Sequence, residues 1–186
     1  MICFPFYFAA LMYAITGAPS SGKTSIVKEL EKMGEPVMHE AATDLIVSKI
    51  KSGVHEPWKE EGFTFDIVKL HLERETPYHS REGRVFLDRG VFDGYAFAME
   101  HHLAGTETLA NLNATLNPID LNQRYEAIFF VLPYDANAVP ERTEVRREDA
   151  LAASRLAFAT YAIYCRHHLS SRCQGECRPR NGPTSS

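Results

Sequence analysis

Apolar runs of strand length alternate with segments of helical period along most of this chain. Leu11–Thr16 is a continuous apolar run and predicts a strand. Thr24–Met33 then predicts a helix with Ile26, Leu30 and Met33 on one face, stopped by Gly34. Pro36–His39 reads as a short strand that ends at Glu40. Ala41–Lys51 reads as a helix with Leu45, Ile46 and Ile50 inward. Ser52–Glu61 has loop composition, with Gly53, Pro57 and the lone tryptophan, Trp58. Phe63–His79 predicts a helix burying Phe63, Ile67 and Leu70, its later turns charged at Glu73, Arg74 and Glu75. Arg84–Leu87 is a buried-type strand leading into Asp88-Arg89-Gly90, and Asp93–His102 a helix. Ala104–Asn122 is weakly patterned, with a helix near Leu109. Ala127–Leu132 is an apolar strand stopped by Pro133. Tyr134–Pro140 is a loop, and Arg142 to about His168 is mainly helical.

This alternation predicts an α/β fold: a parallel sheet flanked by helices. The 186 residues suffice for one domain with a sizeable core, and neither repeats nor an internal linker mark a second. We therefore expect a domain over residues 11–168. An apolar extension over 1–10 precedes it, and a polar tail over 169–186, expected to be poorly ordered, follows. Beyond His168 no apolar run supplies the closing strand of such a sheet, so one sheet edge is expected to be open or covered by another segment. The apolar start, Met1–Ile15, lacks a basic flank and is too short to span a bilayer. It is read as an extension plus the first strand, and a misassigned start is an alternative.

Charge changes the picture only by exclusion. A formal net charge of −4 gives no support to nucleic-acid or membrane-surface binding, which favours a basic excess. Cys3, Cys165, Cys173 and Cys177 form no disulfide framework, and with His167 and His168 they match no standard zinc spacing. A reducing, cytoplasmic setting is expected, without membrane insertion.

The specific chemistry lies between the first strand and the first helix. Gly17-Ala18-Pro19-Ser20-Ser21-Gly22-Lys23-Thr24 has two glycines with four residues between them, followed by Lys and Thr. This is the phosphate-binding loop pattern, the Walker A motif. The glycines let backbone N–H groups, including that of Ser25, converge on phosphate oxygens at a helix N-terminus. Lys23 is expected to reach the terminal phosphates, and the Thr24 hydroxyl to ligate Mg²⁺.

Three further groups fall just after predicted strands, at the edge where open α/β sheets bind ligands. Glu40 follows strand two and suits a base accepting a proton from a substrate hydroxyl, or a cap of the next helix. Asp88 follows strand three and suits an acid organising Mg²⁺. Arg89 either pairs with Asp93 or touches substrate, and Asp93 is either a substrate ligand or a helix cap. Arg142 and Arg146 share a helical face and suit cations covering a transferring phosphoryl group, with Arg147 turned aside. Their neighbours Glu141, Glu144, Glu148 and Asp149 equally suit a salt-bridged solvent face. His101 and His102 read as surface residues.

These residues together resemble the AAA-labelled P-loop domain shared with the nicotinamide-riboside kinase part of the bacterial NAD-regulatory protein. The likeness runs from about Leu11 to Tyr164. It is carried by Ile15–Thr24, His39-Glu40-Ala41-Ala42, Phe86-Leu87-Asp88-Arg89-Gly90, Ile128–Pro133 and Arg142-Thr143-Glu144. The acid after strand two and the Asp-Arg pair after strand three also resemble those of deoxynucleoside kinases. The resemblance implies strand order 2-3-1-4-5 and a kinase-like core. It also implies a nucleoside triphosphate, ATP or GTP, with Mg²⁺, and a small hydroxyl-bearing acceptor of nucleoside or riboside type. Asn-Lys-x-Asp, the guanine signature, is absent from the sequence, so ATP is the default. The departure lies after Arg166, where family members continue into a Gly turn and a final strand. That ending reads as a truncated or frame-shifted C-terminus. A regulatory nucleotide-binding module without an acceptor is the alternative reading.

Overall fold

A computed structural model describes residues 10–19, 21–60, 62–100, 107–132 and 155–163. Four parallel strands form one sheet: β1 (Leu11–Gly17), β2 (Val37–Met38), β3 (Arg84–Asp88) and β4 (Ala127–Val131), in the order β2-β3-β1-β4. Its helices are α1 (Lys23–Lys32), α2 (Ala41–Lys51), α3 (Phe63–Glu75), α4 (Asp93–Glu100), α5 (Glu107–Leu116) and α6 (Leu121–Arg124). Residues 155–163 form a further helical segment. The parallel sheet flanked by helices is thus the predicted fold, with the first four strands in the predicted order. The position of a fifth strand lies outside the described residues. So do residues 1–9, the segment holding Arg142, Arg146 and Arg147, His101, His102, and the tail.

Every βα step delivers the chain to the same sheet edge, as parallel pairing requires. β1 lies between β3 and β4, with Ile15 opposite Asp88 and Gly17 opposite Val131. The core gathers on one face of these strands. Met12, Ala14, Val85 and Leu87 pack there with Val68, Phe92, Leu112, Leu116, Leu121, Tyr125 and Tyr161. On the other face Tyr13 stacks between Phe86 and Phe129, with ring centroids 5.2 and 6.2 Å away. Among the described residues no helix is long and apolar enough to cross a membrane.

Helix α1 is rotated from the expected face. Val27 and Lys23 are buried, whereas Ile26 and Met33 are exposed. The cause is Lys23, which must point into the loop. Positions 23, 27 and 30 share a face, and this sets Ile26 and Met33 to one side. Ile50 is likewise exposed, with Leu45 and Ile46 half-buried. In α3 the buried row is Phe63, Thr64, Val68, His71 and Glu75, so Ile67 and Leu70 are only half-buried. Glu75, read from sequence as part of a charged outer turn, is wholly inside. The expected end of this helix is a separate 3₁₀ turn, Thr76–Ser80, which begins just before Pro77. Short α6 had no apolar period to announce it, and starts where the Asp120 side chain accepts from Asn122 N at 3.0 Å.

Candidate active site

The loop between β1 and α1 is shaped by Gly17 and Gly22, both at positive φ (139° and 96°). Gly17 is fixed twice over. A Cβ there would lie 2.3 Å from the Val131 carbonyl oxygen, so the β4 neighbour forbids a side chain as firmly as the backbone does. Gly22 turns the chain into α1, whose first-turn N–H groups face the loop. Ala18 is buried and Pro19 exposed, while Ser20 lies outside the described residues. Ser25 is exposed, and its N–H bonds Gly22 O at 3.0 Å.

Lys23 is 5% exposed. Its Nζ donates to Ala18 O at 2.5 Å and to Ser21 Oγ at 3.4 Å. Burial, with help from the Arg89 charge, lowers its pKa to about 8. Beside it the Thr24 hydroxyl donates to Asp88 Oδ2 at 3.0 Å. This contact follows from the sheet order: β3 pairs with β1, so Asp88 is set against the start of α1. The other carboxylate oxygen, Asp88 Oδ1, is buried and has no hydrogen-bond partner among the described residues. Burial raises the pKa of Asp88, and the Glu40 charge adds to that.

One residue further, Arg89 adopts φ 81°, the left-handed region that a non-glycine residue enters at a cost. Its N–H is held by Ile15 O at 2.9 Å. Nε donates to Glu40 Oε1, and Nη1 to Asp93 Oδ1 at 3.2 Å and Gly17 O at 3.5 Å. Burial opposes the charge on Arg89, but Asp93 and Glu40 outweigh it and raise the pKa further. Arg89 thus pairs with Asp93, one of its two expected alternatives, and ties Glu40 to it as well.

The two carboxylates differ in what they have left to offer. Asp93, buried at the start of α4, accepts from Thr16 Oγ1 (2.6 Å), Arg89, Gly90 N (3.0 Å) and Tyr161 OH (2.7 Å). Those four donors fill a carboxylate's lone pairs. Glu40 sits at the N-cap position of α2, but its side chain makes no cap hydrogen bond. It accepts from Arg89 and, at 3.2 Å, from Thr43 Oγ1. Glu40 keeps acceptor capacity and is half-exposed to an adjacent space.

That space is a cavity of about 310 Å³ beside the phosphate loop. Gly17, Pro19, Glu40, Arg89 and Asp93 form its polar end. Ile46, Trp58, Phe63, Ile67, Val68 and Phe97 form apolar walls, and His71 lines it as well. Gly94 lets α4 close against α3, since a Cβ there would lie 2.3 Å from Val68 Cγ2. Trp58 and Tyr161 were missed as site residues, and His71 and Glu75 were not singled out within their helix. No spacing rule marks Trp58 or Tyr161, but His71 and Glu75, four apart on one helix, were a pair to be found.

A family model described as an AAA domain matches residues 12–171. The chain belongs to the AAA-domain family. The comparison with curated proteins found no match. The family carries a P-loop nucleotide-binding fold, in keeping with ATP or GTP as ligand. Lys23, Thr24, Asp88, Arg89, Asp93 and Glu40 converge at one sheet edge beside that loop. Among the described residues no group of three or more His, Cys, Asp or Glu is placed to hold a metal ion alone.

Proposed function

We propose that this AAA-domain protein is a phosphotransferase that moves the γ-phosphoryl group of a nucleoside triphosphate, by default ATP, to a hydroxyl of a nucleoside-like or riboside-like acceptor. The observation that carries this reading is the cavity. A module that only hydrolyses nucleotide needs a water beside the loop, whereas this chain has about 310 Å³ with aromatic walls and, at its polar end, the Glu40 carboxylate with acceptor capacity left beyond Arg89 and Thr43.

The loop N–H groups and Lys23 would bind the β- and γ-phosphates, Lys23 leaving Ala18 O for phosphate oxygen. A magnesium ion fits the donor set. Thr24 offers hydroxyl oxygen, and Asp88 Oδ1 is a buried carboxylate oxygen with no partner among the described residues. Those two residues would hold the ion, directly or through water. When bound, it would draw negative charge from the phosphate oxygens.

Glu40 is the base in this scheme. The acceptor oxygen forms a bond to γ-phosphorus as the bond to the β–γ bridging oxygen breaks. The hydroxyl proton passes to Glu40, and the leaving diphosphate keeps the electron pair. Arg89 holds Glu40 at the cavity mouth and Asp93 holds Arg89. Arg142 and Arg146 would stabilise charge at the bridging oxygen. Glu40→Gln should abolish transfer and leave nucleotide affinity within about twofold, because only the proton acceptor is lost. Equal loss of binding and transfer would remove Glu40 from that role.

A further inference from the structure

The cavity's polar end is accounted for by phosphoryl transfer, but His71 in its lining leads to a second set of polar groups that the scheme above leaves unused. Glu75 is wholly buried, and every donor around it is tied down. Arg124 Nε donates to Oε2 at 2.5 Å, and Arg124 Nη2 contacts the same oxygen. Tyr125 OH donates to Oε1 at 2.6 Å, while that hydroxyl itself accepts from Val91 N at 2.9 Å. Burial alone would raise the Glu75 pKa, but His71, Arg124 and Tyr125 together hold it below the ordinary value. Glu75 is therefore a carboxylate, able only to accept.

His71 Nε2 lies 2.9 Å from Glu75 Oε1. A carboxylate accepts, so Nε2 carries the hydrogen, and in the neutral ring Nδ1 is a bare acceptor. Nδ1 has no partner among the described residues, and His71 lines the cavity. The ring sits one turn before Glu75 on α3 and cannot swing away without costing the buried Glu75 Oε1 one of its donors. The charges of the cavity narrow its occupant further. Among the described residues that line it, the one guanidinium, Arg89, is already held by Glu40 and Asp93.

We infer that His71 is the specificity-determining residue of the acceptor cavity. Its Nδ1 accepts a hydrogen bond from an N–H or O–H on the ring of an acceptor that has no negative charge, and Glu75 is the positioning residue that fixes it. The inference rests on the cavity being the acceptor site. It explains why a carboxylate, an arginine and a tyrosine hydroxyl are buried together behind an apolar wall. Their arrangement sets the direction of one lone pair.

Phenol and anisole make the simplest probe pair, because both offer an aromatic ring and only phenol offers a donor. The full chain, with ring nitrogens labelled, is followed by nitrogen NMR, which reads directly which ring nitrogen carries hydrogen. His71 is assigned by loss of its resonances in His71→Phe, and Glu75→Gln, which perturbs the same ring, serves if that variant does not fold. We expect hydrogen on Nε2, an Nδ1 resonance that moves with phenol and not with anisole, and phenol binding about fivefold tighter. In His71→Phe the preference should fall to about one, and in Glu75→Gln it should fall part of the way. Hydrogen on Nδ1, equal responses to the two probes, or no response at saturation each overturn the assignment. If transfer to a hydroxyl is found without a phenol response, His71 loses its role and the proposed function stands. If phenol responds in a protein that only hydrolyses nucleotide, the reverse holds.

Discussion

Replacing Lys23 by Met should make the fold more stable while destroying its nucleotide site. The ammonium is buried at 5% exposure, and its pKa falls from 10.5 to about 8. At ~1.4 kcal/mol per decade this gap corresponds to roughly 3 kcal/mol by which folding disfavours the charged form. Loss of the bond to Ala18 O returns about 1–2 kcal/mol, so the net gain near neutral pH is about 1–2 kcal/mol. For a chain of this length that raises the melting midpoint by about 3–6 °C. The sign with pH is also fixed. Between pH 8 and 10.5 the unfolded chain binds the Lys23 proton and the folded chain has released it. Stability from this group therefore rises with pH across that window. Wild type should gain on Lys23→Met from pH 8 upward, and this part of the difference should vanish near 10.5. The assay is thermal melting of both proteins across that range without nucleotide, read as the difference so that other titrating groups cancel. A variant that is less stable at neutral pH, or a difference that ignores pH, would refute the reasoning.

Other substitutions test the remaining contacts. Asp88→Asn should leave the melting midpoint unchanged or higher, since burial and Glu40 already disfavour the carboxylate, while magnesium-dependent nucleotide affinity falls at least about tenfold by titration. Gly17→Ala should cost about 3 kcal/mol or more by chemical denaturation, because its Cβ meets Val131 O at 2.3 Å. Gly34→Ala, also at positive φ but in open space, should cost only about 1 kcal/mol. Tyr161→Phe should cost about 1–2 kcal/mol by leaving Asp93 one donor short. It should also reduce the cost of Gly90→Ala, whose Cβ would lie 2.3 Å from the Tyr161 hydroxyl, as a double-mutant cycle would show.

The parallel sheet and the loop were legible because both are local signals. Apolar runs bounded by turn residues mark β1, β3 and β4, and the glycine spacing marks the loop whatever its surroundings. The helix faces were harder. Ile26 and Met33 fit an apolar period, but Lys23 had to reach the loop, and that functional demand set the rotation of α1. Glu75 was invisible for a related reason. A charged residue in a charged run looks solvated until Arg124 and Tyr125, some fifty positions later, are brought against it. The left-handed Arg89, which joins Glu40 to Asp93, carries no sequence mark of its conformation. Each of these depends on contacts between distant segments, which periodicity cannot report.

The measurement that tests the central claim most directly is phosphorus NMR of the protein with Mg²⁺, ATP and a panel of uncharged nucleosides and ribosides. The account expects the γ-phosphoryl signal to reappear as a phosphate ester on one acceptor, with ADP formed in equal amount and no transfer by Glu40→Gln. Free phosphate released at a rate that no acceptor changes would contradict it, and would make the chain a nucleotide hydrolase whose cavity serves another purpose.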